Sequence, residues 1–352
     1  MPPSKGPRGK RFMESPRLVF LLPQAARRLL AVWALGSAGL VAAQGAAPVA
    51  GAAPERGVNE WLMRMHEASR QRNYVGTFVV SSNAGAMSTA RIWHACDAEQ
   101  QVERVESLTG APRSTLRRND EVVTLWPEKR VARTERRDSL GVFPDLLKSS
   151  GTAIAEFYTA RRTGSDRVAG YDADVVHIAP KDGLRFGYRI WSEKKTGLVV
   201  KLQTLGGGGE VLEQAAFSEL QLDAPLKADK LAELMAPPPG WRVERSDAVK
   251  TDAAAEGWAL KASPPGFKPM SCYRRRGSAA EGTVQWIFSD GLASVSLFIE
   301  GYDRQRHLQE GLFAAGASQT LTRRVQDWWL TAVGEVPPQT LRAFAQNLER
   351  RK

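Results

Sequence analysis

Apolar positions along the chain change period several times, and each change marks an element. Val58, Trp61, Leu62 and Met65 recur at i, i+3, i+4 and i+7, which gathers them on one stripe of a helix. From Tyr74 the period falls to two. Tyr74, Phe78 and Val80 share one face of NYVGTFVVSS, with Val75, Thr77 and Val79 on the other. Strand-like runs follow in MSTARIWHA, QVERVESL, the pair STLRR and EVVTLW around Asn119-Asp120, and RVARTER. A less regular, partly apolar piece, SLGVFPDLLKSSGTAIAEFY, has room for short helices. Strands then resume to about Leu222. The clearest hairpin joins DADVVHIAP to LRFGYRIWSE through Lys181-Asp182-Gly183. Its second arm predicts Leu184, Phe186, Tyr188 and Ile190 on an apolar face, with Arg185 and Arg189 pointing the other way. GLVVKLQTL and EVLEQAAFSELQL continue the meander across the glycines at 206–209, which lack the Lys-Ser/Thr and the strand-to-helix setting of a phosphate loop.

A sheet of that many antiparallel strands with one apolar face must curl or be covered. The pattern therefore predicts a curved antiparallel sheet or an open barrel over residues 56–222, with helices plugging its concave side. The Ala-, Pro- and charge-rich stretch 223–262 reads as a linker. Residues 263–352 read as a smaller α+β domain: the hairpin TVQWIF–SDG–LASVSLFIE, the strands SQTLTRRV and DWWLTAVGEV, and a helix after Pro337-Pro338. In that helix Leu341, Phe344, Ala345 and Leu348 share a face. The fold class expected is α+β in two domains, which suits a chain of 352 residues.

Charge changes the picture once its position is considered. The formal net charge is +11, but seven basic residues (Lys5, Arg8, Lys10, Arg11, Arg17, Arg27, Arg28) and one acid (Glu14) precede Ala43. Arg27-Arg28, the apolar run LLAVWALGSAGLV at 29–41 and Val41-Ala42-Ala43 have the order of a signal peptide's basic, apolar and small-residue regions. Residues 1–43 are thus expected to be a leader with its signal-peptide core at Arg27–Ala43, and 44–55 a small-residue linker. The apolar run is shorter than the ~20 residues of a spanning helix, so the mature chain is expected to be exported and not membrane-spanning. Without the leader the chain carries 42 basic and 37 acidic residues. That mild +5 suits an acidic peptide or a lipid phosphate better than a nucleic acid. Export permits a disulfide between Cys96 and Cys272; the alternative is two free buried thiols.

Catalytic and metal-binding patterns are missing from the sequence. The four histidines, His66, His94, His177 and His307, have no metal spacing, and no Cys-x-x-Cys or, in the mature chain, Gly-x-Ser-x-Gly occurs. His94 and His177 are read as structural groups in strands, and His307 as part of a polar, exposed loop. Glu103, Glu106, Asp120 and Glu121 are spaced like solvated surface charges. Neither enzyme activity nor a cofactor is expected. The arginine pairs at 117–118, 136–137, 161–162 and 323–324 and the run Arg274-Arg275-Arg276 fit solvated strand edges or bidentate carboxylate and phosphate binding. Aromatic residues on strand faces fit core packing or the lining of a cavity.

Several segments together resemble the RseB/MucB family of periplasmic sigma-factor regulators. They are NYVGTFV with RIWHA, RRNDEVV, the run FYTARRTGSDRVAGYDADVVHIAPKDGLRFGYRIWSEKKTGLVVKLQTL, VLEQAAFSEL, PPGF, FSDGLASVSLF and VGEVPPQTLRAFAQNL. The resemblance covers most of the mature chain, in order. It implies an N-terminal LolA/LolB-like half-open barrel holding a lipid-sized cavity and a C-terminal domain that helps bind the periplasmic part of an RseA/MucA-like anti-sigma factor. It also implies that the protein shields that partner from the site-one protease and is released by lipopolysaccharide or mislocalised lipoprotein. Phe78, Trp126, Phe157, Leu184, Phe186 and Tyr188 are the expected cavity residues. Arg274, Arg275, Arg276, Phe288, Asp290 and Leu292 are the expected partner surface. A periplasmic lipid or lipoprotein carrier of the LolA type is the alternative.

Overall fold

The computed structural model describes residues 56–97, 100–136, 143, 144, 147, 153–245, 247–276 and 282–351. The expected leader 1–43, the linker 44–55 and most of the irregular piece before Ala153 lie outside the described residues.

Helix α1 (Val58–Gln71) forms where the 3.6-residue period predicts it, and Val58, Trp61, Leu62 and Met65 are all buried. At its start the Glu60 carboxylate accepts the Gly57 N–H at 2.8 Å, a favourable place for negative charge. Strands β1 (Tyr74–Ser82), β2 (Met87–Cys96), β3 (Gln101–Ser107), β4 (Ser114–Arg118), β5 (Glu121–Trp126) and β6 (Val131–Arg136) follow as one meander. After the single turn α2 (Ile154–Phe157), a second meander contains β7 (Tyr158–Val168), β8 (Tyr171–Pro180), β9 (Gly187–Glu193), β10 (Val199–Leu205) and β11 (Val211–Leu222). The meanders join along β1 and β11, antiparallel from Tyr74↔Leu222 to Ser82↔Glu213. The resulting twelve-stranded sheet ends at β7 on one side and β12 (Arg242–Arg245) on the other, and these edges do not pair. It is a half-open barrel. Its core face packs on the stripe of α1 and on Phe143, Leu147 and Ile154.

The second domain contains β13 (Asp247–Thr251), β14 (Trp258–Leu260), β15 (Lys268–Arg276), β16 (Val284–Ser289), β17 (Ser294–Gly301), β18 (Gly311–Ala315), β19 (Ser318–Val325), β20 (Trp328–Gly334), α4 (Pro338–Asn347) and β21 (Leu348–Arg350). Seven of its strands form a sheet in the order β13-β15-β16-β17-β20-β19-β18, and β14 pairs with β21. On one face of the sheet Phe288, Leu297, Leu321 and Leu330 pack against Leu341 and Phe344 of α4, at the expected periodicity.

The stretch 223–262, expected as a linker, carries elements of both sheets. Helix α3 (Ala228–Ala232) lays Ala228 and Leu231 on Ala95 and Val102 of the first sheet. Strand β12 then pairs parallel with β6, and β13 pairs antiparallel with β15 of the second sheet. A second difference concerns the hairpin at Lys181-Asp182-Gly183. The ladder of β9 begins only at Gly187, so Leu184, Arg185 and Phe186 belong to the connection and not to an alternating strand. Arg185 does not point to solvent: its side chain is completely buried, drawn inward by a carboxylate from the other domain.

Candidate functional site

The junction between the domains is built around the turn that links β16 to β17. The turn winds on its own side chains. Gly291 N–H donates to Ser289 Oγ at 3.0 Å, and the N–H groups of Leu292 and Ala293 donate to Asp290 Oδ1 at 3.0 and 2.8 Å. This leaves Asp290 Oδ2 for the first domain, where it accepts Arg185 Nε at 2.6 Å and the Tyr158 hydroxyl at 3.1 Å. Both charged side chains are fully buried. The rest of the guanidinium is satisfied as well. Nη1 donates to Asp182 Oδ2 at 2.5 Å, and Nη2 donates to the Pro265 carbonyl. Phe157 and Phe267 sit 4.2 and 5.0 Å from the guanidinium carbon.

Gly266 is required here for two reasons. Its φ is +84°, and a Cβ would fall 2.6 Å from the Phe157 ring. Burial, with Tyr188 and the Asp290 carboxylate nearby, pushes the Tyr158 hydroxyl well above the ordinary tyrosine value, so it stays protonated as a donor. Leu292 completes the contact by entering the hydrophobic core of the first domain.

The start of α4 grips the same connection from the other side. Gln339 Nε2 donates to Gly183 O at 2.5 Å and Thr340 Oγ1 to Leu184 O at 2.7 Å. Beside this contact lies a cleft of about 600 Å³, lined among others by Phe186, Leu205, Leu212, Pro337 and Pro338 and flanked by the glycines at 206–209.

A second buried polar group runs across the first sheet. Register sets Tyr74, His94, Glu103 and Arg117 opposite one another on β1 to β4. Glu103 Oε2 accepts Arg117 Nε at 2.8 Å, and His94 stacks on Tyr74 with ring centroids 4.8 Å apart. His94 Nδ1 is 2.6 Å from Arg72 O. Burial is the largest influence on His94 and lowers its pKa, which keeps the imidazole neutral. Glu103 and Arg117 are therefore buried partners and not the solvated surface charges that their spacing suggested. His307 also departs from expectation. It is buried and stacks on Trp329 at 4.8 Å, and its Nδ1 accepts the Asp303 N–H at 2.8 Å.

The six expected cavity residues do not form one wall. Phe78 and Tyr188 are buried in the core of the first domain, and Phe157 packs against it. Phe78 lies 5.6 Å from Phe143 and 6.2 Å from Phe217, ring to ring. Leu184 and Phe186 belong to the connection at the domain junction, and Trp126 lies apart on β5 under Arg133. The expected partner surface also divides. Phe288 is buried in the second domain's own core against Phe344, while Asp290 and Leu292 are buried because their hairpin turn docks the domains. Arg274 is exposed and pairs with Glu256. Arg275 donates to Gln285 Oε1 at 2.7 Å, and the Arg276 side chain lies outside the described residues.

Cys96 and Cys272 are free thiols held on β2 and β15 in different sheets, so no disulfide joins them. Burial pushes the Cys272 thiol up to about 11. Sequence reasoning missed Tyr158, Asp182 and Arg185 as a set with Asp290. An Asp-x-x-Arg spacing was its one local signal, and the partner stands 105 positions away.

Among the described residues, no cluster of three His, Cys, Asp or Glu side chains is placed to hold a metal. No helix among them is long and apolar enough to cross a membrane. The site offers packing, charge and backbone contact, which are the means of binding.

Two family models match the chain, the MucB/RseB N-terminal domain over residues 57–235 and the MucB/RseB C-terminal domain over 252–349. The sigma factor AlgU regulatory protein MucB of Pseudomonas aeruginosa is 30% identical over 302 residues, 82% of this chain and 90% of that protein. The sigma-E factor regulatory protein RseB of Escherichia coli K12 is 25% identical over 294 residues, 82% of this chain and 89% of that protein. The solved MucA/MucB complex of Pseudomonas aeruginosa contains a chain similar to this one with a TM-score of 0.64 and 26% identity, covering 84% of this chain and 99% of that chain. A crystal structure of MucB with the periplasmic part of MucA gives 0.62 and 27%, covering 83% and 98%.

Proposed function

The chain belongs to the MucB/RseB family, and from that premise we propose that it is a periplasmic negative regulator of an envelope-stress sigma factor. It binds the periplasmic domain of an RseA/MucA-like anti-sigma factor, shields it from the site-one protease, and lets go when lipopolysaccharide or a mislocalised lipoprotein binds. The observation that carries this reading is the match in both domains, over 83% of this chain, to a protein crystallised with MucA.

The junction supports a route for release. An acyl chain entering the first domain would gain ~0.8 kcal/mol per buried CH₂. Room for it has to come from the core, where Phe143 now lies 4.9 Å from Phe217 and fills the space beside Phe78. Phe143 precedes α2 in the chain, and α2 ends at Phe157 beside Tyr158, the residues that touch Arg185 and Asp290. Displacing Phe143 pulls on the one buried ion pair described between the domains. Lipid and anti-sigma factor then favour different domain arrangements, and each weakens the other by the same factor. A coupling of ~1–3 kcal/mol gives a roughly 5–150-fold change.

A protease-protection assay tests the reading. The mature protein is expected to slow cleavage of its cognate anti-sigma periplasmic domain by the site-one protease, and added lipopolysaccharide to restore cleavage. Unprotected cleavage would sink the regulatory reading. Protection indifferent to lipid would sink only its sensing half.

A further inference from the structure

The seven-stranded sheet has one face under α4 and one face that no described helix or strand covers, closed only at its Trp329 end by Tyr302 and His307. Register places two rows of side chains across the bare face. Tyr273, Gln285, Phe298, Thr331 and Thr322 stand opposite one another in the first row, and Ser271, Ile287, Ser296, Val333, Thr320 and Phe313 in the second. Strand neighbours half-bury most of these side chains, while Phe313 at the edge is 47% exposed.

The charge around the rows is one-sided. Lys250 stands opposite Tyr273, and Arg275 lies over the Phe298 ring at 5.7 Å. Arg324, on the same side of β19 as Thr320 and Thr322, lies over Tyr302 at 4.0 Å. Glu300 is engaged by Arg306 at 2.8 Å and by His307 at 3.3 Å.

We infer that the bare face of this sheet, an apolar and hydroxyl-bearing floor with a basic rim, docks an acidic amphipathic helix of the protein partner. The inference rests on the regulatory reading above and names the surface it uses. A half-apolar sheet face is stabilised by a helical layer, as α4 already provides on the opposite side. Seven strands at ~4.8 Å spacing make a floor about 29 Å wide, the length of a helix of ~19 residues. A second copy of the chain fits less well, because a two-fold pairing of this face would bring Lys250, Arg275 and Arg324 against like charges. The acidic side of a helix would satisfy them.

The test uses the mature protein and the purified periplasmic domain of its cognate anti-sigma factor, with affinity measured calorimetrically at low and high salt. Charge reversal of the rim (Lys250→Glu, Arg275→Glu, Arg324→Glu together) leaves both cores untouched and is expected to weaken binding about tenfold or more, with a smaller salt dependence. The control pair Arg323→Glu and Arg342→Glu, off the face, is expected to bind as the unmodified protein does. A photo-crosslinker at Thr320 should capture the anti-sigma domain. Unchanged affinity in the rim variant, equal loss in the control, or a Thr320 crosslink to a second copy would each overturn the assignment and leave the regulatory reading standing. Absence of binding by the unmodified protein would remove the regulatory reading, and the docking assignment with it.

Discussion

Two buried charge clusters in this protein use the same chemistry for different ends. In the first sheet, Glu103 and Arg117 lie directly opposite on neighbouring strands, 2.8 Å apart. At the junction, Arg185 and Asp290 are 2.6 Å apart, but they come from separate domains. Burying an ion pair is close to neutral against an apolar replacement, whereas removing one partner is costly, because a lone charge is left in a poor solvent. The first pair spends that cost asymmetry on registering one sheet. The second spends it on the relation between two bodies, so anything that disturbs it changes how the domains are held. The geometry is similar in both places; the connectivity makes one structural and the other a candidate switch.

Mutation can break that contrast. The largest effect is expected from Asp290→Asn, which leaves Arg185 without its interdomain counter-charge and should cost about 3–5 kcal/mol. Tryptic cleavage at Arg242 and Arg245, beside the exposed 236–240 stretch, should accelerate as the domains separate. An unchanged melting temperature and cleavage rate would refute the role given to the junction.

Glu103→Gln should cost about 3 kcal/mol by the same rule, yet leave cleavage at Arg242 and Arg245 as it was. Faster cleavage in this variant would erase the distinction between the clusters. The same cluster carries a pH signature. Burial holds the folded-state pKa of His94 below its ordinary value of about 6.5. The unfolded chain therefore takes up the proton first as pH falls. Stability due to this residue is complete above about 6.5 and is lost as pH drops toward the folded value. His94→Gln should flatten the melting-temperature profile on the acid side, and an unaltered slope would count against a neutral buried imidazole.

The smallest effect sharpens the comparison from outside. Arg274 is half-exposed and pairs with Glu256, whose carboxylate Thr251 Oγ1 also holds at 2.9 Å, so Arg274→Ala should change stability by about 1 kcal/mol or less. A loss comparable to that of Asp290→Asn would mean that exposure is no guide to which pairs matter here.

The sequence by itself determined the elements and their faces. The α1 stripe, the strand meanders, the 206–209 tip and the packed face of α4 all follow from periods of 3.6 and 2, because local geometry alone decides which side chains share a side. The likeness of whole segments to the MucB/RseB family was legible for the same reason: it resides in the order of residues. The tertiary structure alone decided where the charges went. Alternation put Arg185 in water and spacing put Glu103 on the surface, but both are buried with partners distant in the chain, a turn residue for Arg185 and a neighbouring strand for Glu103. The hairpin turn at Asp290 looked like a free surface and became the dock between domains. A charge is buried only where an opposite charge and hydrogen-bond acceptors converge on it, and for Arg185 the nearest such carboxylate across the junction is 105 positions along the chain, beyond the reach of any local pattern.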